Sequence, residues 1–218
     1  MTKKKDINTG TEQLLAQIDQ NVGIITLNRP DSRNALSDEL TPALRSTIKE
    51  FDTNREVRSL LITGAGKSFC AGGDVKSMSQ GGIGPNLSRE EAIVDLQEKQ
   101  LTLTGALYNF TKPSIAALPG PAAGAGFSLA LSCDIRIGNR NAFFLSNYSK
   151  IGLSGDYGIS WYLTKLLGAH KAKEVMFIND RIYSKEALSL GLLNLLCNNR
   201  DLENTLDSLK NKILSQST

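Results

Sequence analysis

The sequence predicts an α/β fold, and two observations support this class. Short apolar runs that are typical of buried strands alternate with longer segments of helical periodicity. Two of these strands each lead into a glycine-rich corner, and a helical pattern follows each corner. The chain has 218 residues, which is enough to bury one sizeable core.

The N-terminal part begins with a tail and a hairpin. We expect residues 1–11 to be a flexible tail and residues 12–200 to form the core domain. Residues 12–28 predict two short strands around a Gln20-Asn21 turn. Helical spacing begins near Ser37, which with Asp38 is a candidate N-cap. The apolar face of this helix comprises Leu40, Leu44, Ile48 and Phe51.

A strand, a corner and a loop follow. Residues 57–63 form a buried-strand candidate, which ends at the glycines of GAG (64–66). The first glycine-rich corner, FCAGGDVKSM, occupies residues 69–78, and its Asp74 could cap a short helix. Residues 79–88 are rich in glycine and proline, which favours a mobile loop beside a site.

The second half repeats this order of elements. A long amphipathic helix is predicted from about Arg89 to Tyr108, and its end is marked by Lys112-Pro113. A second glycine-rich corner, residues 119–132, passes from a strand into a helix. Three short strands are predicted at 114–118, 133–137 and 142–145. The last two helices are predicted from LSGDYG (153–158) to Gly168, and over the C-terminal segment 201–218, whose pattern is amphipathic.

Composition argues against several functions. Lys and Arg number 25 against 22 Asp and Glu, so the net charge of +3 is too small to indicate a nucleic-acid-binding surface. Cys70, Cys133 and Cys197 are too scattered for a disulfide framework or a metal site. No apolar run approaches the length of a membrane span. We therefore expect a cytoplasmic protein without metal, nucleic-acid or membrane partners.

The glycine corners fit neither of two common phosphate-binding motifs. A P-loop ending at Gly66-Lys67-Ser68 would need glycine at position 61, which is Leu61. A dinucleotide fingerprint starting at Gly124 would need glycine at position 129, which is Leu129. Both phosphate-loop interpretations therefore fail.

An oxyanion site remains as the third interpretation of these corners. Glycine and alanine let backbone N–H groups point into a cavity, and two such corners can offer two donors to one carbonyl oxygen. The alternative is that the glycines only permit tight strand-to-helix turns. The occurrence of both corners at strand ends favours the oxyanion interpretation.

Four stretches resemble a known family. FCAGGD, PAAGAGFSLALSCDIRI, NRPDSRNALS and KIGLSGDYG resemble the enoyl-CoA hydratase/isomerase (crotonase) superfamily, from about residue 13 to residue 198. The resemblance implies a spiral of repeated ββα units that binds acyl-CoA thioesters. It also implies a homo-oligomer, a trimer or a hexamer, without a tightly bound cofactor, because coenzyme A belongs to the substrate.

The resemblance also assigns residues to the site. It places the oxyanion donors at the backbone N–H groups of Gly73 and Ala125. The residues it places along the coenzyme A are Arg33, Ala35, Ala71 and Asp74. Met78 and the following loop are expected to wall the acyl chain.

The reacting side chains depart from the hydratase pattern. A hydratase of this family uses two glutamates, at positions that correspond here to Ser128 and Tyr148. Ser128 is a small helix residue expected to bond back to its own turn, and Tyr148 is a donor or a pocket wall. Asp156 remains, in the place where a subset of the family, including isomerases and a dehalogenase, has an aspartate pointing at the substrate. The alternative is that Asp156 is simply a helix N-cap.

Family members normally continue through several further helices, whereas this sequence stops at Thr218. The C-terminal helical part is therefore expected to be short or missing. Trp161, Tyr162 and Phe177 are expected to pack in the core. The functional hypotheses are double-bond isomerisation with Asp156 as acid/base, water addition, a catalytically weak acyl-CoA-binding module, and a dihydroxynaphthoyl-CoA synthase-like reaction. The presence of a single candidate carboxylate, Asp156, favours isomerisation over water addition.

Overall fold

The structure is a computed structural model that describes residues 4–74, 88–178 and 180–215. Its strands are β1 (Lys5–Ile7), β2 (Leu14–Asp19), β3 (Val22–Leu27), β4 (Ser59–Gly64), β5 (Ser114–Leu118), β6 (Ala122–Ala123), β7 (Ile135–Asn139), β8 (Phe143–Leu145), β9 (Ile182–Tyr183) and β10 (Leu195–Cys197). Its α-helices are α1 (Leu40–Thr53), α2 (Arg89–Gln100), α3 (Ala106–Tyr108), α4 (Ala125–Leu131), α5 (Ile159–Ile178), α6 (Ser184–Ser189) and α7 (Leu202–Leu214).

The main sheet has seven strands in the order β1-β2-β3-β4-β5-β7-β10. The first three strands pair antiparallel, and the hairpin predicted around Gln20-Asn21 is confirmed, with both turn residues at positive φ. From β3 onward each neighbour is parallel. Parallel strands need crossover connections, which the helices supply. The predicted α/β class is therefore confirmed.

A second layer of short strands gives the fold its repeat. Each of β3, β4, β5 and β7 is followed by a short extended segment, and these segments pair with one another in parallel: Leu36 with Gly73, Cys70 with Ala122, and β6 with β8. Each of these strands and its short extended segment is followed by a helix, namely α1, α2, α4 and α5. The expected spiral of ββα units is thus present in four successive turns.

Two hydrophobic clusters lie on opposite faces of the main sheet. The larger one packs the inner face against α1, α4 and α5, and includes the fully buried Phe51, Phe69 and Phe127. The smaller one lies on the outer face, where Leu206 of α7 covers Leu61 and its neighbours. The predicted C-terminal amphipathic helix therefore covers part of the sheet of its own chain.

Some segments differ from the sequence predictions. Residues 5–7, placed in a flexible tail, form β1 because their backbone pairs with β2. Ser37 Oγ accepts the N–H of Leu40 at 3.0 Å, so Ser37 caps the turn that leads into α1, whose N-cap position is Glu39. The first part of the amphipathic helix predicted from Arg89 is α2, which buries none of its residues. Buried residues begin only after α2 ends, in the π-helical turn Leu101–Gly105. Ser88 caps α2 in a reciprocal pair with Glu91.

The α5 segment shows one confirmed and one wrong expectation. Gly168 has φ 77° and ψ 161°, so the first helical stretch does end there, although a second continues directly to Ile178. Tyr162 is buried, but Trp161 and Phe177 are 44% and 74% exposed. They lie on the outer side of α5, so the prediction that they pack in the core is wrong.

Candidate active site

The first corner holds Gly73 in a parallel ladder beside Leu36. The Leu36 N–H donates to the carbonyl of Gly72 at 2.8 Å, and the Asp74 N–H donates to the carbonyl of Leu36 at 3.1 Å. In a parallel ladder the residue between two such bonds directs its own N–H to the opposite side. Within the described part of the chain, the Gly73 N–H has no acceptor. It is therefore available to a ligand.

The second corner presents Ala125 as the first residue of α4. Gly124 has φ 51° and ψ −127°, a conformation that favours glycine, and its N–H donates to the carbonyl of Leu145. The first N–H groups of a helix have no partner inside the helix. Among residues 4–74, 88–178 and 180–215 none accepts from the Ala125 N–H. The second corner therefore also offers a free donor.

The two corners are in direct contact. A Cβ built on Gly72 would lie 2.9 Å from the carbonyl oxygen of Ala123 and 3.4 Å from the amide nitrogen of Ala125. A Cβ on Gly126 would lie 2.3 Å from the carbonyl oxygen of Cys70. Side chains here would force the corners apart. The small residues are thus required for the close packing of the two corners, and they also leave the two amides uncovered.

One small cavity lies where the corners meet. Its lining consists of Ala71, Gly72, Gly73, Gly124, Ala125, Ser146, Asn147, Tyr148, Ile151, Leu153 and Asp156. It contains both candidate amides and the candidate acid, which come from three separate parts of the sequence. Ile151 and Leu153, each about half exposed, give its rim an apolar side.

Asp156 lies on a conformationally demanding turn at the far side of this cavity. Gly155, Tyr157 and Gly158 all have positive φ, of 106°, 48° and 79°. A positive φ is costly for a tyrosine and is retained only where the surroundings enforce it. The Asp156 carbonyl accepts the Ile159 N–H at the start of α5, while its carboxylate lines the cavity.

The Asp156 carboxylate is hydrogen-bonded to Tyr148. The phenol of Tyr148 donates to Oδ1 of Asp156 at 2.5 Å. Burial raises the pKa of the Asp156 carboxyl above its ordinary value, and the bond from Tyr148 opposes that rise. Burial and the charge of Asp156 also raise the pKa of Tyr148, so the phenol stays protonated and acts as a donor.

Ser128 lies behind Asp156. It is fully buried on α4, and its hydroxyl donates to the main-chain carbonyl of Asp156 at 3.4 Å. The expectation that Ser128 bonds back to its own turn is therefore wrong, because α5 packs against α4 and brings Asp156 within reach. Ser128 does not line the cavity itself.

The residues expected along coenzyme A are more dispersed. Arg33 is exposed at a left-handed φ of 51°, Ala35 is buried, and Ala71 lines the cavity. The Ala71 N–H donates to the carbonyl of Arg33, which joins the two segments. Met78 lies outside the described residues, as does the segment that Asp74 was expected to cap.

Sequence reasoning missed the side chains that hold this loop. Arg29 forms an ion pair with Asp74 at 3.0 Å and donates to the carbonyl of Ala35 at 2.7 Å. Asn34 is fully buried and donates to the carbonyls of Ala65 and Ser68. The only available signal was the position of both residues in NRPDSRNALS, beside a corner that they do not neighbour in sequence.

Two further properties concern metals and membranes. In the described ranges no three His, Cys, Asp or Glu side chains are grouped as metal ligands would be. None of the helices that the structure describes is both long and apolar enough to cross a bilayer. Cys70 is fully buried, and burial raises the pKa of its thiol to about 12, as expected for a packed residue.

Comparisons with known proteins identify relatives of this chain. A family model described as enoyl-CoA hydratase/isomerase matches residues 17–218. The 1,2-epoxyphenylacetyl-CoA isomerase of Escherichia coli is 31% identical over 207 residues, which are 95% of this chain and 78% of the relative. The short-chain-enoyl-CoA hydratase of Clostridium acetobutylicum is 33% identical over 89% of this chain and 72% of its own length.

Solved structures show the same fold. The enoyl-CoA hydratase of Mycobacterium smegmatis superposes with a TM-score of 0.85 at 28% identity, covering 94% of this chain and 78% of that one. An enoyl-CoA hydratase from Mycobacterium avium subsp. paratuberculosis has a TM-score of 0.82 at 29% identity over 95% and 77%. The chain, with its four ββα turns and its paired corners, belongs to the enoyl-CoA hydratase/isomerase family of enzymes.

Proposed function

We propose that the protein isomerises the double bond of an enoyl-CoA thioester. The thioester oxygen is held by the N–H groups of Gly73 and Ala125, and Asp156 moves the proton. The observation that carries this proposal is the presence of two free amides and one carboxylate around a single cavity. Similarity to relatives named as acyl-CoA isomerases and hydratases supports the substrate class.

The reaction needs one acid/base and no redox partner. The Asp156 carboxylate removes a proton from the α carbon of a 3-enoyl thioester, and the electron pair moves onto the thioester oxygen. Two amide donors stabilise this dienolate, and each such donor typically contributes about 2.7–4 kcal/mol. The protonated carboxyl then returns the proton at the γ carbon, which gives the conjugated 2-enoyl thioester. Atoms and charge balance without a bound cofactor, which is why we propose none.

The environment of Asp156 suits this task. A carboxylate of ordinary pKa is a weak base at neutral pH, whereas burial raises the pKa of Asp156 towards the working range. Tyr148 and Ser128 cannot replace the two glutamates of a hydratase, because neither hydroxyl is a base at neutral pH. We therefore favour membership of the family subset that has an aspartate at this turn.

Coenzyme A binding and assembly complete the proposal. We place the coenzyme along Arg33, Ala35, Ala71 and Asp74, with Met78 beside the acyl chain. We further propose a homo-oligomer, a trimer or a hexamer, in the cytoplasm.

The test uses two substrates. Purified protein is given trans-3-hexenoyl-CoA and crotonyl-CoA separately, and conversion of each is followed. Isomerisation of the first, abolished in Asp156→Asn while coenzyme A binding is retained, supports the proposal. Hydration of crotonyl-CoA alone favours the hydratase alternative, and binding without turnover of either favours a weak acyl-CoA-binding module. A ring-closing synthase reaction is tested with a succinylbenzoyl-CoA thioester.

A further inference from the structure

Two hydroxyl side chains converge on Asp156, which is the only carboxylate among the described residues that line the cavity. Tyr148 donates to its Oδ1 at 2.5 Å, and Ser128 donates to its main-chain carbonyl at 3.4 Å. Both hydroxyl residues are buried, Tyr148 to 4% exposure and Ser128 to 0%. Ser128 belongs to α4 and Tyr148 precedes the short 3-10 turn Ser149–Ile151, so two separate elements contribute.

The convergence distinguishes the two oxygens of the carboxylate. A phenol that stays protonated can only donate to a carboxylate, and a charge-assisted O–H···O⁻ bond of 2.5–2.7 Å is at the strong end of such bonds. Oδ1 is therefore occupied by Tyr148, and among the described residues no second side chain donates to the carboxylate, whose other hydrogen bond comes from its own main-chain N–H. The carboxylate thus has one anchored oxygen and one oxygen left for exchange.

We infer that Tyr148 is a positioning residue, which anchors Asp156 through Oδ1 so that Oδ2 carries the proton between substrate carbons. Ser128 supports the same arrangement by holding the Asp156 main chain. This inference rests on the proposed function, in which Asp156 is the acid/base. The two positions where the family resemblance would place acidic side chains thus support the one acid that remains.

The titratable groups around Asp156 make the role of Tyr148 measurable. Tyr148 contacts the carboxylate, and the charge of Asp156 also acts on Tyr157, which interacts in turn with Arg45 of α1 and Asp95 of α2. Burial raises the pKa of Asp156, and the Tyr148 hydroxyl is the side chain that opposes the rise. Without that hydroxyl, the main hydrogen bond that lowers the pKa of Asp156 is lost, so burial raises this pKa further.

The experiment compares Tyr148→Phe with the native protein. The pKa of the Asp156 carboxyl is measured by carbon-13 NMR without substrate, and kcat, KM and the pH profile are measured with trans-3-hexenoyl-CoA. A hydrogen bond to a charged group is worth roughly one to two pH units in carboxyl pKa, so we expect a rise of about one unit or more. The acid limb of kcat/KM moves upward equally. We expect kcat to fall roughly tenfold to a hundredfold with KM nearly unchanged.

Tyr162→Phe is the matched control. Tyr162 is as well buried as Tyr148, at 6% exposure, but its hydroxyl donates to the carbonyl of Thr104 at 3.1 Å. Its loss removes one buried tyrosine hydroxyl without touching Asp156. The carboxyl pKa, the pH profile and kcat should all stay at their native values in this variant.

A second substitution covers the case in which Tyr148→Phe folds poorly. Replacing Tyr148 by 3,5-difluorotyrosine keeps the ring and makes the phenol a stronger donor, so the pKa of Asp156 should fall. If neither substitution moves this pKa, Tyr148 is only a pocket wall and the inference is wrong, whatever happens to kcat. The NMR measurement needs no turnover. If the native protein converts neither acyl-CoA, the proposed function is wrong, but the effect of Tyr148 on the pKa of Asp156 can still be measured.

Discussion

At the scale of single residues, the strained backbone beside Asp156 and the burial of its carboxyl both act against stability. The neighbouring Tyr157 has φ 48°, and backbone strain of this kind costs on the order of 1–3 kcal/mol. Burial raises the pKa of the carboxyl, so ionising it in the folded state is unfavourable. Backbone strain and desolvation at adjacent residues are typical of functional sites, where stability is given up for reactivity.

The stability cost leads to a prediction for Asp156→Asn. The folded-state pKa of Asp156 lies above its unfolded value of about 3.9, so the folded protein binds this proton more tightly. The stability that the carboxyl lends is therefore present at low pH and is lost as pH rises through the folded pKa. The neutral amide escapes this loss. We expect the variant to melt at a higher temperature than the native protein at pH 7.

The same variant should lose that advantage on acidification. Calorimetry from pH 4 to pH 8 should show the two melting temperatures converging at the acidic end, where the native carboxyl is protonated. An Asp156→Asn protein that melts lower than the native one at pH 7 would contradict this, and would mean that the carboxylate is stabilised by its surroundings.

At the scale of elements, the strand that presents Gly73 is held by a side chain from another loop. Arg29 reaches both Asp74 and the carbonyl of Ala35, with side-chain exposures of 19% for Arg29 and 16% for Asp74 in the ion pair. These contacts flank the bridge between Leu36 and Gly73. Because the bridge sets the direction of the Gly73 N–H, the contacts of Arg29 act on the proposed oxyanion site.

We therefore expect Arg29→Ala to lower kcat by roughly tenfold, since a displaced donor loses part of its contribution to the transition state. Arg29→Lys should recover only part of the rate, because one ammonium cannot reproduce the two directions of the guanidinium. Lys5→Ala is the control: its ion pair with Glu56 is also 3.0 Å long, but both side chains are more than half exposed. An unchanged kcat in Arg29→Ala would limit the ion pair to a structural role.

Two glycines within helical segments give opposite predictions for substitution by alanine. Gly168 interrupts α5 at φ 77°, and a Cβ there would meet nothing within 4 Å, so Gly168→Ala costs only backbone strain, about 1–2 kcal/mol. Gly105 has helical φ and ψ of −65° and −44°, and its nearest Cβ contact is 3.5 Å. Gly105→Ala should stabilise by roughly 0.5–1 kcal/mol. Urea unfolding measures both, and equal signs would contradict this.

At the scale of the whole molecule, α2 carries several apolar residues whose side chains are exposed. Ile93, Val94 and Leu96 are 48%, 61% and 44% exposed, and Leu101 in the following turn is 68% exposed. Apolar groups that cluster on a surface commonly mark an interface. This surface agrees with the proposed homo-oligomer.

We expect light scattering to give a mass that is a multiple of three chains. Val94→Glu combined with Leu101→Glu should lower that mass, because the two charges would be buried unpaired in an interface. The melting temperature of the monomeric fraction tests whether the fold is kept. A native protein that is monomeric at all concentrations, or a variant that assembles like the native one, would show that α2 is not an interface.

Local sequence patterns determined much of the secondary structure of this protein. The hairpin, the order of strands and helices, both glycine corners and the break at Gly168 follow from turn residues, capping residues and periodicity, which act over a few neighbours. The resemblance of four short stretches indicated the family, and five of the candidate site residues, Ala71, Gly73, Ala125, Tyr148 and Asp156, do line one cavity.

Only the tertiary structure decided how these parts meet. The contacts of Arg29 with Asp74, of Tyr148 with Asp156 and of Ser128 with the Asp156 carbonyl join residues 8 to 45 positions apart, and no local pattern encodes them. The same holds for the strand at Lys5–Ile7, which exists because β2 offers a free edge, and for the exposure of α2. Long-range packing buries Asp156 beside Tyr148, and this burial raises the pKa of the carboxyl. The same packing holds the two corners together and so sets the direction of the Gly73 and Ala125 amides.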